Sequence, residues 1–222
     1  RAKEQGIGHY FVPRYTRVVD TAESKENINK AYNLISTSKV RNEMIIDDVI
    51  TCVARKQTPV ILTRFKEHAK FLHDALKEKA DHVFLLYGDN SDKENAEIRV
   101  KLKQIPENES LILVATGQKI GEGFDFPRLD VLMLAAPVSF EGRLEQYVGR
   151  LNRDYVGKEA VYVYDYIDSH VRYFDKMYAK RLRTYRKTGF SIWTQELQPK
   201  QIINAIFDSV NYTEKFEQDI VE

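Results

Sequence analysis

Residues 111–137, LILVATGQKIGEGFDFPRLDVLMLAAP, decide the fold. Two continuous apolar runs, LILVATG (111–117) and LDVLMLAAP (129–137), flank a segment with three glycines in seven positions, Gly117, Gly121 and Gly123. Apolar runs of this length without alternation read as strands buried on both faces, and such strands belong to parallel sheets covered by helices. The pattern repeats on either side. PVILTRF (59–65) and HVFLLYG (82–88) lie upstream and AVYVYDYI (160–167) downstream. Helical spacing fills the gaps: Phe65, Ala69, Leu72 and Leu76; then Ile98, Leu102 and Ile105 within 91–105; then a helix over 139–152. A last long helix over 168–187 has Val171, Phe174, Tyr178, Leu182 and Tyr185 on its core side. The fold class is α/β, a parallel sheet with helices on both faces. Ligands of such sheets sit at the carboxyl ends of the strands, so the loops after LILVATG and LAAP are the places to look for chemistry.

The ends of the chain read differently. YFVPRYTRVVD (10–20) is a short extended lead-in, and residues 25–56 carry helical patterning with Ile45, Val49, Cys52, Val53 and Lys56 on one side, broken at Gln57-Thr58-Pro59. The tail holds six acids (Glu196, Asp208, Glu214, Glu217, Asp219, Glu222) and two lysines (Lys200, Lys215), with Ile202, Ile206 and Val210 at helical spacing. It reads as a small helical appendage. The expected division is an N-terminal segment with helices (1–58), a sheet-bearing domain (59–188) and the helical tail (189–222). The chain begins at Arg1 rather than Met, which suggests a piece of something longer.

At 222 residues and 43% hydrophobic, the chain can bury one sizeable core. A net charge of +1 means that any nucleic-acid contact must be local. Cys52 is the only cysteine, which rules out a disulfide within the chain and a two-thiol metal site, and it reads as a small core residue. With no run of 18 apolar residues and no signal peptide, no membrane partner is expected and the localisation is expected to be cytoplasmic. His9, His68, His73, His82 and His170 are scattered and read as surface or cap residues rather than metal ligands.

Two stretches carry chemistry. On a helical wheel SFEGRLEQYVGRLNR (139–153) puts Leu144, Tyr147, Val148 and Leu151 on one side and Gln146, Arg150 and Arg153, at i, i+4 and i+7, on the other. The second face offers an amide and two guanidinium groups, which stay charged and grip phosphate oxygens bidentately. In VATGQKIGEGFDFP (114–127) the glycines permit close backbone approach to a ligand. Asp125, between Phe124 and Phe126, could take ribose hydroxyls, and Thr116 at the strand end could bond a phosphate.

Taken together, Q-x-x-G-R-x-x-R (146–153) following G-E-G-F-D (121–125) resembles motifs VI and V of superfamily 2 helicases, and Thr63-Arg64-Phe65 resembles motif IV. The phrase IGEGFDFPRLDVLMLAAPVS (120–139) is similar to the helicase subunits of restriction-type and related DEAD/DEAH-like systems. Asn152 departs from the pattern, since relatives often carry His there. The resemblance implies a RecA-like sheet, the second of two motor domains. It implies Arg153 as the arginine finger, Arg150 as its companion at the γ-phosphate and Gln146 as an organiser of the nucleotide cleft. Gly121, Glu122, Gly123 and Asp125 would meet the nucleotide, and Thr63, Arg64, Thr116 and Gly117 the nucleic-acid backbone, DNA being favoured over RNA. ATP and Mg²⁺ are the cofactors expected of the parent protein, and its N-terminal RecA-like domain the expected partner.

Phosphoryl transfer of this kind needs a phosphate cradle, a metal carboxylate and a charge-stabilising finger. The chain contains no G-x-x-x-x-G-K-[ST] and no Asp-Glu dipeptide, so it is expected to bind no cofactor and to hydrolyse no ATP by itself. The long helix adds seven basic residues (Arg172, Lys176, Lys180, Arg181, Arg183, Arg186, Lys187) against Asp175, either a solubilising face, a secondary nucleic-acid surface or a seam to the other domain. The alternative to a motor domain is a RecA-like module that only binds nucleic acid or protein.

Overall fold

A computed structural model describes residues 6–121, 125–138 and 141–193. The apolar runs become strands β2 (Pro59–Thr63), β3 (His82–Leu86), β4 (Leu111–Thr116), β5 (Val131–Leu134) and β6 (Ala160–Ile167). β1 (Gly8–Tyr15) and β7 (Ser191–Ile192) complete a sheet in the order β3-β4-β2-β5-β6-β1-β7, every pair parallel. All positions of β2, β4 and β5 are buried, as continuous apolar strands require.

Side chains along each strand alternate between two cores. Val60, Leu62, Leu113, Leu132 and Val163 face α4 (Asp92–Gln104), α6 (Glu141–Leu151) and α7 (Arg172–Thr188). Ile61, Ile112, Val114, Met133 and Tyr164 face α2 (Lys39–Ala54) and α3 (Lys66–Leu76). Cys52 lies in the second core, where burial pushes its thiol up to about 12 and leaves it a small apolar filler. The helical stretch before β2 is two helices, because Ser38 ends α1 (Ile28–Thr37) and then caps α2 by accepting from the Arg41 amide at 3.3 Å. Ile45, Val49 and Cys52 are fully buried there, while Lys56 turns outward with a φ of 61°. Among the described residues no helix is long and apolar enough to cross a membrane.

The lead-in is a strand of the sheet. β1 pairs with β6 over eight residues, from Gly8 opposite Ala160 to Tyr15 opposite Ile167. Pro13 argues against an inner strand in sequence, since it cannot donate to a ladder. Its place explains the tolerance. The Gly8 and Thr16 amides donate to Glu159 and Ile167, so even positions bond toward β6, while the Phe11 carbonyl accepts from Trp193 on the other side. Pro13 therefore faces β7, which pairs only with Tyr10 and Phe11, and its missing N–H costs no ladder bond. The sheet thus crosses the boundary expected at residue 59, and at 191–192 it enters the segment expected to be helical. The remainder of the expected helical tail, 194–222, lies outside the described residues.

Two buried guanidinium groups fasten helices to strand ends. Arg41 of α2 donates to both carboxylate oxygens of Asp168, at 2.9 and 3.1 Å, and to the Ala135 carbonyl at 2.6 Å, while Thr16 donates to the same carboxylate. Arg181 of α7 makes a two-pronged pair with Asp165, 2.8 Å on each prong, and Tyr185 adds a third donor. Arg181 therefore leaves the basic face on which its residue type places it. On the wheel it sits about 20° from Phe174 and about 40° from Tyr185, so the helix carries it into the core, where Asp165 neutralises it.

Candidate functional site

Most of the candidate residues fall into two groups, Thr63, Arg64, Thr116 and Gly117 at the carboxyl ends of β2 and β4, and Gln146, Arg150 and Arg153 on and after α6 with Asp125. Thr63 and Thr116 end β2 and β4 as register partners. Both are buried. The Thr63 hydroxyl bonds to His68 Nδ1 at 2.6 Å, and His68 Nε2 bonds to Asn42 Oδ1 at 2.7 Å. The Asn42 amide nitrogen donates to the Ser36 carbonyl, so its oxygen is the acceptor and His68 Nε2 carries the proton. The Thr63 hydroxyl must then donate to Nδ1, inward and away from the surface. Burial, and secondarily the charge of Arg41, pushes His68 down to about 3, so the imidazole is neutral. His68 is thus a core histidine rather than the surface residue its sequence context suggests, and His9 is buried too, bonded to Asn152 at 2.6 Å. Arg64 is the exposed member of the β2 end. Its guanidinium lies over the Tyr32 ring at 4.5 Å and its Nη2 is 3.5 Å from Asn29 Oδ1.

Past Thr116 the chain enters a short helix, α5 (Gly117–Gly121), where an open glycine loop is expected. Gly117 is glycine for a packing reason. A Cβ there would stand 2.6 Å from the Tyr147 hydroxyl, which reaches across from α6 to the Gly117 carbonyl at 3.4 Å. The close approach expected of a ligand is made by α6. Glu122 and Gly123 lie outside the described residues.

The helix over the second motif has the expected faces. Leu144, Tyr147, Val148 and Leu151 are buried, Gln146 is exposed and Arg150 is half-buried. Arg153 differs from the wheel. α6 ends at Leu151, and Arg153 sits in the bend beyond it. From there its Nε lies 3.6 Å from Asp125 Oδ1, both side chains 62% exposed, an ion pair that joins the two motif-bearing stretches. Lys158 fixes the bend. Its ammonium donates to the carbonyls of Leu151, Arg153 (3.1 Å) and Pro127 (2.9 Å), tying the end of α6 to the segment that carries Asp125. Burial pulls Lys158 down to about 8 and pushes the neighbouring Asp130 up to about 6, so both are charged near neutral pH. Sequence reasoning passed over Lys158 because a single lysine in a turn carries no periodic signal.

Arg153, Asp125 and Gln146 are thus exposed, Arg150 is half-buried, and the contact described among them is the Arg153–Asp125 ion pair. Among the described residues no group of three His, Cys, Asp or Glu side chains could hold a metal ion. The solved structures to which the chain is similar sharpen the fold. The crystal structure of T4 UvsW matches 85% of this chain and 41% of its own, with a TM-score of 0.65 at 19% identity. The C-terminal domain of the DEAD-box protein Dbp5 matches 85% of this chain and 91% of its own, with a TM-score of 0.52 at 11% identity.

The fold is RecA-like and is shared with T4 UvsW and with the C-terminal domain of the DEAD-box protein Dbp5.

No protein-family model matches this helicase-type domain. In sequence it is 30% identical over 163 residues to transcript termination protein A18 of Yaba-like disease virus, a stretch covering 68% of this chain and 33% of that protein. The chain spans about a third of the length of the curated relatives it matches.

Proposed function

We propose that this helicase-type domain is the second motor domain of an ATP-dependent helicase or translocase, closing on an N-terminal RecA-like domain of the same protein. The observation that supports the reading is the meeting of Arg153 and Asp125, from the two motif-bearing stretches, on one exposed surface. A nucleoside triphosphate with its magnesium ion supplies the phosphoryl group. Arg153 is the finger that meets its developing charge, Arg150 and Gln146 organise the phosphates, and Asp125, with Gly121, Glu122 and Gly123, serves the ribose side. The magnesium ligands and the phosphate cradle come from the other domain. Leaving Asp125 costs Arg153 little, because an exposed pair is worth at most about 1 kcal/mol. A DNA strand is held by its backbone at the strand ends, with Arg64 on the surface, Thr116 and Gly117 beside it, and Thr63 supporting the turn from beneath. The 222-residue chain alone turns over no ATP above background.

The test is Arg153→Ala in the full-length parent. Nucleic-acid-stimulated ATP turnover is expected to fall by a factor on the order of 10³ to 10⁵, as for fingers in related hydrolases. Ground-state ATP affinity changes far less, because the finger acts on charge that develops in the transition state. Turnover within a few-fold of the parent would instead favour a RecA-like module that binds without catalysing.

A further inference from the structure

Every exposed position of α7 is Lys or Arg: Arg172, Lys176, Lys180, Arg183, Arg186 and Lys187. Arg172, Lys176, Lys180, Arg183 and Lys187 stand at i, i+4, i+8, i+11 and i+15. At 100° per residue they fall within about 80° of one another, with Arg186 on the flank, and at 1.5 Å per residue they span about 22 Å. The opposite face, Phe174, Tyr178, Leu182 and Tyr185, is core, and the remaining cation, Arg181, is neutralised there by Asp165. Asp175, the one acid of the helix, is half-buried and off the ridge. In a chain with 34 basic and 33 acidic residues this is a local segregation of charge. At its far end Lys187 lies 3.7 Å from Glu145 of α6.

The ridge adjoins the strand-end site. Tyr32, which carries Arg64 over its ring, donates to the Pro137 carbonyl at 2.7 Å, and its hydroxyl is 3.9 Å from the sulfur of Met177, the residue after Lys176. Arg181 reaches the Val138 carbonyl from the same helix at 3.1 Å. Arg64 and α7 are thus joined through Tyr32 and Met177. No aromatic side chain stands at an exposed position of α7, so the ridge offers charge to phosphates and no stacking platform to bases.

We propose that the exposed face of α7 is a second phosphate track, which holds the backbone of a nucleic-acid strand that continues beyond Arg64 and Thr116. This rests on the reading of the domain as a nucleic-acid motor. Binding along the track is sequence-tolerant and salt-dependent, because Lys and Arg meet phosphates and release counterions. The length of the ridge matches roughly six nucleotides at 3.4 Å each.

The experiment uses the whole 222-residue chain and two probes, oligothymidylates of about six and about eighteen nucleotides, titrated by fluorescence anisotropy across a salt series. The wild type is expected to bind the longer probe more tightly and with a steeper salt dependence. Arg172→Gln/Lys176→Gln/Lys180→Gln/Arg183→Gln keeps helix propensity and leaves the core untouched. It should weaken the long probe far more than the short one and remove most of the gain with length. It should also lower the slope of log K against log salt for the long probe by about 2 to 3, at about 0.7 per phosphate contact. The pair Lys176→Gln/Lys180→Gln should lower it by about 1.4. Arg64→Ala should weaken both probes. A control with the same charge change on exposed lysines elsewhere, Lys70→Gln/Lys77→Gln/Lys101→Gln/Lys103→Gln, should behave as wild type. An unchanged slope in the α7 variant, or an equal loss in the control, overturns the track while leaving the motor reading standing. If wild type binds neither probe, the nucleic-acid reading falls and the track falls with it.

Discussion

Thr63 and Arg64 are sequence neighbours with opposite fates. Every position of β2 is buried, so Thr63, its last residue, is committed to the interior, while Arg64, just past the strand end, reaches the surface. Thr63 is held by a neutral histidine, and that histidine makes a prediction. His68 titrates at about 3 in the folded state against an ordinary value of 6.5. The unfolded chain therefore binds the extra proton between these values, and stability is fully present above about 6.5 and lost as pH falls toward 3. Over that window His68 contributes a slope of about 1.4 kcal/mol per pH unit. Urea unfolding from pH 4 to 7 should show this extra slope in wild type and not in His68→Asn. Equal slopes in the two proteins would mean that the imidazole is protonated inside the fold. Arg153 makes the contrary prediction. Its ion pair with Asp125 is exposed on both sides, so Arg153→Ala should change the unfolding free energy by less than about 1 kcal/mol. A larger loss would make Arg153 a structural residue.

The contact between α5 and α6 determines how the two motif-bearing stretches lie against each other. Gly117 leaves room for the Tyr147 hydroxyl, which is buried with its ring against the first core. Gly117→Ala puts a methyl 2.6 Å from that oxygen, and Tyr147 cannot swing away without opening the core. The expected cost is about 1 to 3 kcal/mol, in the range of overpacked cores. Tyr147→Phe removes the obstructing atom, so the double variant Gly117→Ala/Tyr147→Phe should recover most of the loss. A double-mutant cycle measures this directly, and additive losses would show that the overlap is relieved elsewhere. At α7, Arg181→Met should cost about 3 to 5 kcal/mol by stranding the Asp165 carboxylate in the core, far more than neutralising any cation on the exposed ridge. Comparable thermal shifts for Arg181→Met and Lys176→Gln would refute the separation of the two faces.

The whole molecule closes its sheet with residues distant from the middle of the chain. β1 covers one edge of β6 along its full length and brings Phe11 against Tyr185 and Val12 into the second core. A chain trimmed to residues 59–188 keeps every motif and loses β1, β7, α1 and α2. It leaves the β6 edge open and the carboxylate of Asp168 without Arg41 and Thr16. Such a chain is expected to lack a cooperative thermal transition that the 222-residue chain shows. A trimmed chain that melts cooperatively at the same temperature would contradict the contribution assigned to β1.

The sequence by itself determined the α/β class, the five apolar strands, the buried faces of α6 and α7 and the placing of the two motif-bearing stretches at strand ends. Continuous apolar runs and 3.6-residue spacing are local signals, and burial enforces them whatever the rest of the chain does. Tertiary structure alone decided the place of β1, since the partner that makes YFVPRY a strand lies about 150 residues away and excuses its proline. It likewise decided the pairing of Arg41 with Asp168, because no periodicity links positions 41 and 168. Arg181 was half-legible. Its wheel position among Phe174 and Tyr185 and the lone acid of AVYVYDYI point to a buried pair, but only packing puts them 2.8 Å apart. The same holds for the candidate site. Residue types marked Arg153 and Asp125 separately, and the end of α6 at Leu151, with Lys158 holding the carbonyls of the bend, set the direction in which Arg153 reaches, because a side chain's reach is fixed by the backbone that carries it.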